Sequence, residues 1–213
     1  VMEVGDLDSV GNAAVVVVVN PNNPDGRLYD VTRLEALRSR LAASGGLLVV
    51  DEAFADVTPE ISMASRAGAD GLLILRSFGK FFGLAGLRLG FAVGNEMLID
   101  FLAARLGPWA VSGPAIEIGT RALRDFDWID QTRIALVAAR TRLDAVLKSS
   151  GLKIIGGTDL YRLAKAKDTK ARYEQLGRAG ILVRRFDEHP DWLRFGLPGD
   201  DAAFERLSEA LAG

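Results

Sequence analysis

The chain contains no cysteine and a single histidine, His189, among its 213 residues. Without cysteine, neither a disulfide framework nor a thiolate metal site can form. With one histidine, a multi-histidine metal site is excluded and a histidine-dependent catalytic triad is not expected. Because disulfides are rare in reducing compartments, their absence fits the cytosol, and we expect a cytoplasmic protein.

The sequence also lacks an excess of either charge and any long apolar run. It has 26 basic and 28 acidic residues, for a formal net charge of −2. This balance gives neither a basic nucleic-acid footprint nor a polybasic membrane patch. No apolar run approaches the roughly 20 residues of a membrane span, and residues 1–10 do not resemble a signal peptide. We therefore expect small-molecule partners, with no nucleic acid and no membrane.

The hydrophobic content of 49% is enough for a sizeable core, and its pattern indicates strands. VVVVV, Val15 to Val19, reads as a strand buried on both faces, because β-branching and the following Asn-Pro disfavour a buried helix. Asp30 can cap a helix that stops near Gly45. Further apolar strands follow in GLLVVDEAF, GLLILRSFGK and LRLGFAVG. The sequence predicts an α/β fold, with a mostly parallel sheet and helices on both faces.

The pattern changes near Pro108. Two long amphipathic stretches, Pro114–Leu123 and Trp128–Leu147, precede short strands in LKIIG, DLYRLA, GILVRRF and WLRFGL. Helices are predicted at Thr169–Ala179 and Asp201–Leu211. We therefore divide the chain into a large domain, residues 1–107, and a smaller α+β domain, residues 108–213.

Polar residues follow the first strands at the sheet edge where α/β proteins bind ligands. In NPNNPDG two prolines stiffen a turn that presents the amide of Asn23, although such a turn can simply connect a strand to a helix. Asp51 ends a buried strand, where a carboxylate needs a partner. LLVVDE also resembles the acidic strand of a P-loop ATPase, with Asp51 or Glu52 near magnesium. That alternative lacks G-x-x-x-x-G-K-[ST], since Leu75 stands where the first glycine is needed.

Lys80 lies in RSFGKFFGLAG, an apolar and glycine-rich setting. We expect its ammonium to be poorly solvated, which favours an amine nucleophile, although a lone lysine is more often a surface group. Ser77 precedes it in the same segment. Arg88 lies at the entry to a strand, where a guanidinium can hold a phosphate.

These motifs together resemble a known family. N-P-N-N-P-x-G, D-E-A-[FY] and S-[FYW]-[GS]-K-x-[FY]-G-L-A-G-L-R-x-G are typical of fold-type I enzymes dependent on pyridoxal 5′-phosphate, in the aminotransferase class I/II group. The resemblance covers nearly the whole chain. It implies the carboxyl-terminal part of a transferase-like large domain followed by a smaller α+β domain.

The resemblance assigns a role to each of these residues. It implies that Lys80 bonds covalently to the cofactor aldehyde and that Asp51 pairs with the pyridine nitrogen. It also implies that Asn23 donates to the phenolic oxygen, while Ser77 and Arg88 hold the phosphate.

Two departures from the family pattern are visible. Phe54 stands where many members have a tyrosine that also contacts the phenolic oxygen. The family's first hundred or so residues have no counterpart here, so the sequence looks like the carboxyl-terminal two thirds of an enzyme. Family members are dimers with active sites at the subunit interface, which implies a homodimer. The isolated chain is expected to bind cofactor poorly and to be inactive.

Two arginines in the second half, Arg184 and Arg194, lie on predicted strands and suit a substrate with two anionic groups, unless one or both are surface residues. Arg185 is expected on the opposite face. In the family, the residue matching Arg194 binds the α-carboxylate, and in the branch with phosphorylated substrates the residue matching Arg184 helps to hold the phosphate.

Within that branch, WLRFGLPG and DEAF resemble threonine-phosphate decarboxylases of cobalamin biosynthesis. Histidinol-phosphate aminotransferases usually show LR[IV][ST] and DEAY. The resemblance therefore implies decarboxylation of O-phospho-L-threonine, with an aminotransferase as the alternative. A third alternative is the non-catalytic cofactor-sensing domain of a transcription regulator, which would carry a basic helix-turn-helix and bind DNA.

Overall fold

The computed structural model describes residues 6–11 and 13–212, and its contacts divide the chain into two compact units. The first unit runs to Asn22 and resumes from Leu28 to Arg124, whereas the second joins Asn23–Arg27 to the chain from Asp125 onward. None of the described helices is long and apolar enough to cross a membrane.

The first unit is built on one sheet with the strand order β1-β2-β3-β4. Its strands are β1 (Val15–Val19), β2 (Leu47–Asp51), β3 (Leu72–Ser77) and β4 (Gly90–Gly94), and its helices are α1 (Val31–Ala42), α2 (Glu96–Leu106) and α3 (Gly113–Arg124). β1, β2 and β3 are parallel, and β4 runs antiparallel to β3. The expected α/β class with a largely parallel sheet is confirmed.

The contacts within the structure place the boundary between the two units after Arg124, whereas the sequence pattern predicts a boundary after residue 107. The difference comes from α3, which packs on the first unit. A Cβ added at Gly119 of α3 would lie 2.4 Å from the side chain of Leu89, so the helix approaches this segment closely. The amphipathic pattern locates the helix but does not reveal which unit it packs against.

Helix α1 forms where the sequence predicts it. The carboxylate of Asp30 accepts a hydrogen bond from the N–H of Arg33, at 2.8 Å, and so caps the first turn. Leu34, Leu37 and Leu41 lie on one face and are buried against one side of the sheet. Burial of this leucine stripe fixes α1 on the sheet.

The expectation that β1 is buried on both faces is wrong for this chain. Val16 and Val18 face α1 and are buried, whereas Val15 and Val17 are 54% and 64% exposed. Helix α2 packs on the second face, but it follows β4 and lies beside Gly94 of that strand. Among the described residues, this side of β1 is therefore left uncovered.

The second unit contains an antiparallel sheet with the strand order β5-β6-β8-β7. Its strands are β5 (Lys153–Thr158), β6 (Tyr161–Lys165), β7 (Arg184–Arg185) and β8 (Trp192–Gly196), and its helices are α4 (Phe126–Ser149), α5 (Thr169–Arg178) and α6 (Asp201–Ala212). The helices pack on one face of the sheet, where Leu193 and Phe195 join residues of all three helices in a single core. These elements agree with the predicted α+β arrangement.

The segment Asn23–Arg27 docks on β5 through backbone atoms. The N–H of Gly157 donates to the carbonyl oxygen of Asp25, at 2.9 Å. A Cβ added at Gly26 would lie 2.0 Å from the carbonyl oxygen of Gly157, and one at Gly156 would lie 2.1 Å from that of Asp25. The two backbones can approach this closely only because both segments lack side chains at the contact.

This contact predicts a strong effect for Gly26→Ala. The backbone at Gly26 has φ +71°, so alanine there is strained by about 1–2 kcal/mol, and overpacking adds about 1–3 kcal/mol. Gly45→Ala is the matched control, because Gly45 has φ +74° with no atom within 4 Å of an added Cβ. We expect a clearly larger fall in unfolding temperature for Gly26→Ala in parallel thermal melts. An equal fall for both variants would contradict the close contact.

Candidate functional site

Asp51 and Ser77 lie on one face of the first sheet, at the carboxyl ends of neighbouring strands. Asp51 is in register with Leu75, two residues before Ser77, so both side chains point to the same side. The carboxylate of Asp51 accepts a hydrogen bond from the N–H of Ala53, at 3.0 Å. None of the described cations pairs with this half-buried carboxylate, so no ion pair within residues 6–11 and 13–212 provides the partner expected for it.

Lys80 lies in the turn that directly follows β3. Its Nζ is 5.5 Å from the ring centroid of Phe54, three residues after Asp51, so the turn brings the amine to the end of β2. The expectation that this ammonium is poorly solvated is wrong for this chain, because the Lys80 side chain is exposed. The neighbouring rings of Phe78 and Phe81 take the buried positions.

The same turn contains Ser77 and leads to Arg88. The Oγ of Ser77 accepts a hydrogen bond from the N–H of Gly79, at 3.1 Å, which closes the turn. Arg88 is exposed and has left-handed backbone angles, φ 53° and ψ 38°. Such a conformation costs about 1–3 kcal/mol for a residue with a side chain and is concentrated at functional sites. Because β4 is antiparallel, its entry after Arg88 lies beside the carboxyl end of β3.

Asn20 is a residue that the sequence reasoning missed. Its buried side chain donates to the carbonyl oxygen and accepts from the N–H of Tyr29, both at 2.9 Å. The N–H of Asn20 donates to the carbonyl oxygen of Asp51, at 2.9 Å. Asn20 therefore ties the chain on both sides of the turn to the end of β2. The available signal was an amide side chain that ends an apolar strand.

In the second unit, Asn23 is oriented by Arg194. Nη1 of Arg194 donates to Oδ1 of Asn23, at 2.5 Å. A guanidinium has no acceptor, so the amide atom that faces it must be the oxygen. The NH₂ group of Asn23 therefore does not face the guanidinium, which is the orientation that its predicted donor role requires.

Arg184 and Arg194 are neighbours in the second sheet, on the face opposite to the helices. They are in register across β7 and β8. Burial lowers the pKa of the Arg194 guanidinium below its ordinary value, and the charge of Arg184 lowers it further. Arginine nonetheless stays protonated at neutral pH. The chain therefore places two positive charges side by side, an arrangement that favours anions.

Tyr161 contacts Arg194 and was not singled out by the sequence analysis. Its ring centroid lies 5.2 Å from the guanidinium carbon of Arg194, within the range of a cation–π contact. Burial raises the pKa of the Tyr161 phenol, so the ring stays neutral. Arg185 lies on the other face, 5.2 Å from the ring centroid of Tyr173 in α5, as strand alternation predicts.

Comparison with known proteins identifies the family to which this arrangement belongs. The profile of the family described as "Aminotransferase class I and II" matches residues 5–211. The chain belongs to this family. The cofactor of class I and II aminotransferases of this type is pyridoxal 5′-phosphate.

Three curated relatives of this aminotransferase family member show how far the match extends. A threonine-phosphate decarboxylase of Pseudomonas aeruginosa is 47% identical over 207 residues, which cover 97% of this chain and 61% of the relative. One of Sinorhizobium sp. is 48% identical and covers 98% of the chain and 63% of the relative. Histidinol-phosphate aminotransferase 1 of Legionella pneumophila is 31% identical, covering 94% of the chain and 56% of the relative. The chain spans about three fifths of its relatives' length.

Solved structures support the same fold. A histidinol-phosphate aminotransferase of Clostridium acetobutylicum has a TM-score of 0.86 at 21% identity, over 96% of this chain and 65% of that one. The enzyme of Sinorhizobium meliloti, in complex with pyridoxal-5′-phosphate, has a TM-score of 0.81 at 24% identity, over 96% and 58%. At these identities the likeness shows the fold alone.

The residues of the aminotransferase-like chain fit this cofactor chemically. Asp51 offers a carboxylate for a protonated pyridine nitrogen, and Lys80 offers a primary amine for an aldehyde. Ser77 offers a hydroxyl group and Arg88 a guanidinium for a phosphate. Glu52, the acid that the P-loop alternative would use, is instead buried in contact with Arg76, and no group of three metal-ligating side chains occurs in residues 6–11 and 13–212.

Proposed function

We propose that this chain is part of a threonine-phosphate decarboxylase that converts O-phospho-L-threonine to aminopropanol phosphate in cobalamin biosynthesis. Two relatives with that name are 47% and 48% identical to nearly the whole chain, well above the 31% of the histidinol-phosphate aminotransferase. We use the term full-length protein for a polypeptide that extends over the whole length of these relatives.

The observation that carries the proposal is the side-by-side placement of Arg184 and Arg194 in β7 and β8. Phosphothreonine carries a carboxylate and a phosphate, two anions on a short skeleton. We assign Arg194, held between Asn23 and Tyr161, to the carboxylate, and the more exposed Arg184 to the phosphate. A guanidinium can bind either anion with two parallel hydrogen bonds.

The other site residues hold the cofactor. When bound, pyridoxal 5′-phosphate supplies a ring that takes up the electrons of the bond that breaks at the substrate α-carbon. Asp51 would keep the pyridine nitrogen protonated, and Lys80 would hold the cofactor through its Nζ. The Nζ of Lys80 would also deliver the proton that replaces the lost carboxylate at the substrate α-carbon. Arg184 and Arg194 would favour decarboxylation over transamination by orienting the substrate carboxylate, which is the group to be lost.

Cofactor contacts and assembly complete the proposal. Asn23 donates to the phenolic oxygen, without the tyrosine that Phe54 replaces, and Ser77 and Arg88 hold the phosphate. The full-length protein acts in the cytoplasm as a homodimer on a small phosphorylated amino acid, with neither nucleic acid nor membrane as a partner. The chain spans 61% of the length of the Pseudomonas aeruginosa relative.

The test is a substrate screen on full-length protein loaded with cofactor. We expect carbon dioxide and aminopropanol phosphate from phosphothreonine, with no requirement for 2-oxoglutarate. Unphosphorylated threonine is the matched control substrate and should react far more slowly. Transamination of histidinol phosphate as the main activity would overturn the decarboxylase assignment. That second candidate function is favoured by the 31% identity to the aminotransferase of Legionella pneumophila.

A further inference from the structure

Glu52 and Arg76 form an ion pair behind the candidate cofactor site. Glu52 follows Asp51 at the end of β2, and Arg76 precedes Ser77 at the end of β3. Side chains alternate along a strand, so Glu52 and Arg76 point to the sheet face opposite to their neighbours. Their contact, Nη1 to Oε2 at 3.1 Å, therefore spans two adjacent strands directly behind the site.

The carboxylate of Glu52 is fully enclosed and bonded through both oxygens. Its exposed fraction is 0%. Oε1 accepts from the N–H of Met63, at 2.6 Å, and Oε2 accepts from the Oγ of Ser62, also at 2.6 Å, besides its contact with Arg76. A buried carboxylate with this many donors has very little freedom to move.

Arg76 extends the network to a second acid. Its Nη2 donates to Oδ1 of Asp56, in the short 3-10 helix Ala55–Val57 that follows β2. Arg76 thus holds the end of β3 to two points of the segment that continues from β2. Removing Arg76 would leave the enclosed charge of Glu52 without its cationic partner, which is costly at a buried position.

The end of β2, which carries Asp51, and the end of β3, which leads to Lys80, are also joined through the backbone. The backbone N–H of Glu52 donates to the carbonyl oxygen of Leu75, at 2.8 Å, so the strand ladder continues beyond Asp51. Beyond that point, the described side-chain contacts between the two strand ends include the ion pair and the contact of Lys80 with the ring of Phe54. The rate of an enzymatic reaction is sensitive to the positions of the reacting groups, since a displacement of about 1 Å can reduce it by about 10²-fold.

We propose that Glu52 and Arg76 are positioning residues, which hold Asp51 and the turn carrying Lys80 at the separation that pyridoxal 5′-phosphate requires. This inference rests on the cofactor site of the proposed function. Neither residue touches the cofactor in this proposal. Their effect reaches it through the chain neighbours Asp51 and Ser77.

The experiment compares Glu52→Gln with Leu41→Ala in full-length protein. Leu41 belongs to the same buried layer, but its carbonyl oxygen accepts from the N–H of Gly46, at the amino end of β2, far along the strand from Asp51. Both variants are expected to lower the unfolding temperature. Pyridoxal 5′-phosphate titrations, followed by absorbance, should show affinity about 10- to 100-fold weaker for Glu52→Gln, the loss typical when residues that orient metal ligands from behind are replaced, and little changed for Leu41→Ala.

A spectroscopic measurement and a second variant complete the test. We expect Glu52→Gln to shift the pH at which the absorption of the bound cofactor changes, and Leu41→Ala to leave it in place. If Glu52→Gln does not fold, Arg76→Lys carries the test, since a lysine cannot reach both Glu52 and Asp56 with a planar fork. We expect it to weaken cofactor binding as well.

The outcomes separate this inference from the proposed function. Wild-type protein that forms no reducible covalent bond at Lys80 would overturn the cofactor site, and the inference with it. A different result would overturn the positioning role alone. In that result, wild-type protein forms the bond, but Glu52→Gln and Arg76→Lys lose no more cofactor affinity than Leu41→Ala at an equal unfolding temperature.

Discussion

Lys80→Ala in full-length protein is expected to eliminate the absorption band of covalently bound cofactor and the covalent adduct that borohydride traps. An alanine side chain has no amine to condense with the cofactor aldehyde. Absorbance spectra and intact mass after borohydride reduction measure both effects. The lost proton transfer alone should reduce the rate of decarboxylation by about 10²- to 10⁴-fold.

Lys148→Ala provides the control for this experiment. Lys148 is an exposed lysine in the last turn of α4, so its removal should leave absorption, adduct and rate unchanged. A trapped adduct that persists in Lys80→Ala would show that another amine carries the cofactor. That result would remove the chemical basis of the proposed site.

Arg194→Gln is expected to raise KM for phosphothreonine by roughly 10- to 150-fold, because a hydrogen bond to a charged group contributes about 1.5–3 kcal/mol. The same substitution removes the guanidinium donor to Oδ1 of Asn23 and shortens the side chain, so kcat should fall as well. Steady-state kinetics with varied substrate separate the two effects. Arg185→Gln is the matched control, because Arg185 lies next in the chain to Arg184 but on the opposite face.

Arg184→Gln tests the second anion site by a change in specificity. We expect the preference for phosphothreonine over unphosphorylated threonine to fall by roughly 10- to 150-fold, again the equivalent of one charged hydrogen bond. Arg194→Gln should slow both substrates alike, because both carry the α-carboxylate. If Arg184→Gln leaves the preference unchanged, the phosphate is bound elsewhere and the assignment of this arginine is wrong.

Local sequence patterns were sufficient to predict most helices and strands and to single out the motif residues. The helix at Asp30 and the strand of five valines follow from capping and β-branching, which act between residues close in sequence. Asp51, Ser77 and Lys80 could be singled out because polar residues that follow buried strands meet at one edge of a parallel sheet.

Residues that act through distant partners could not be identified in this way. Asn20 bonds to both backbone groups of Tyr29, and Glu52 lies ten residues from Ser62 and 24 from Arg76. A buried amide or carboxylate gives no sign in the sequence of which donors will surround it. The solvation of Lys80 and the exposed face of β1 were likewise misjudged, because both depend on which elements cover a surface.

The sequence alone determined the class of fold, the order of the elements and the chemical groups available at the strand ends, because periodicity, capping and turn chemistry are properties of short segments. Only the tertiary structure decided that Arg184 and Arg194 are side by side, that Arg194 orients Asn23, and that Glu52 and Arg76 join two strands behind Asp51. These contacts depend on strand register and on long-range packing, which place residues together regardless of their separation along the chain.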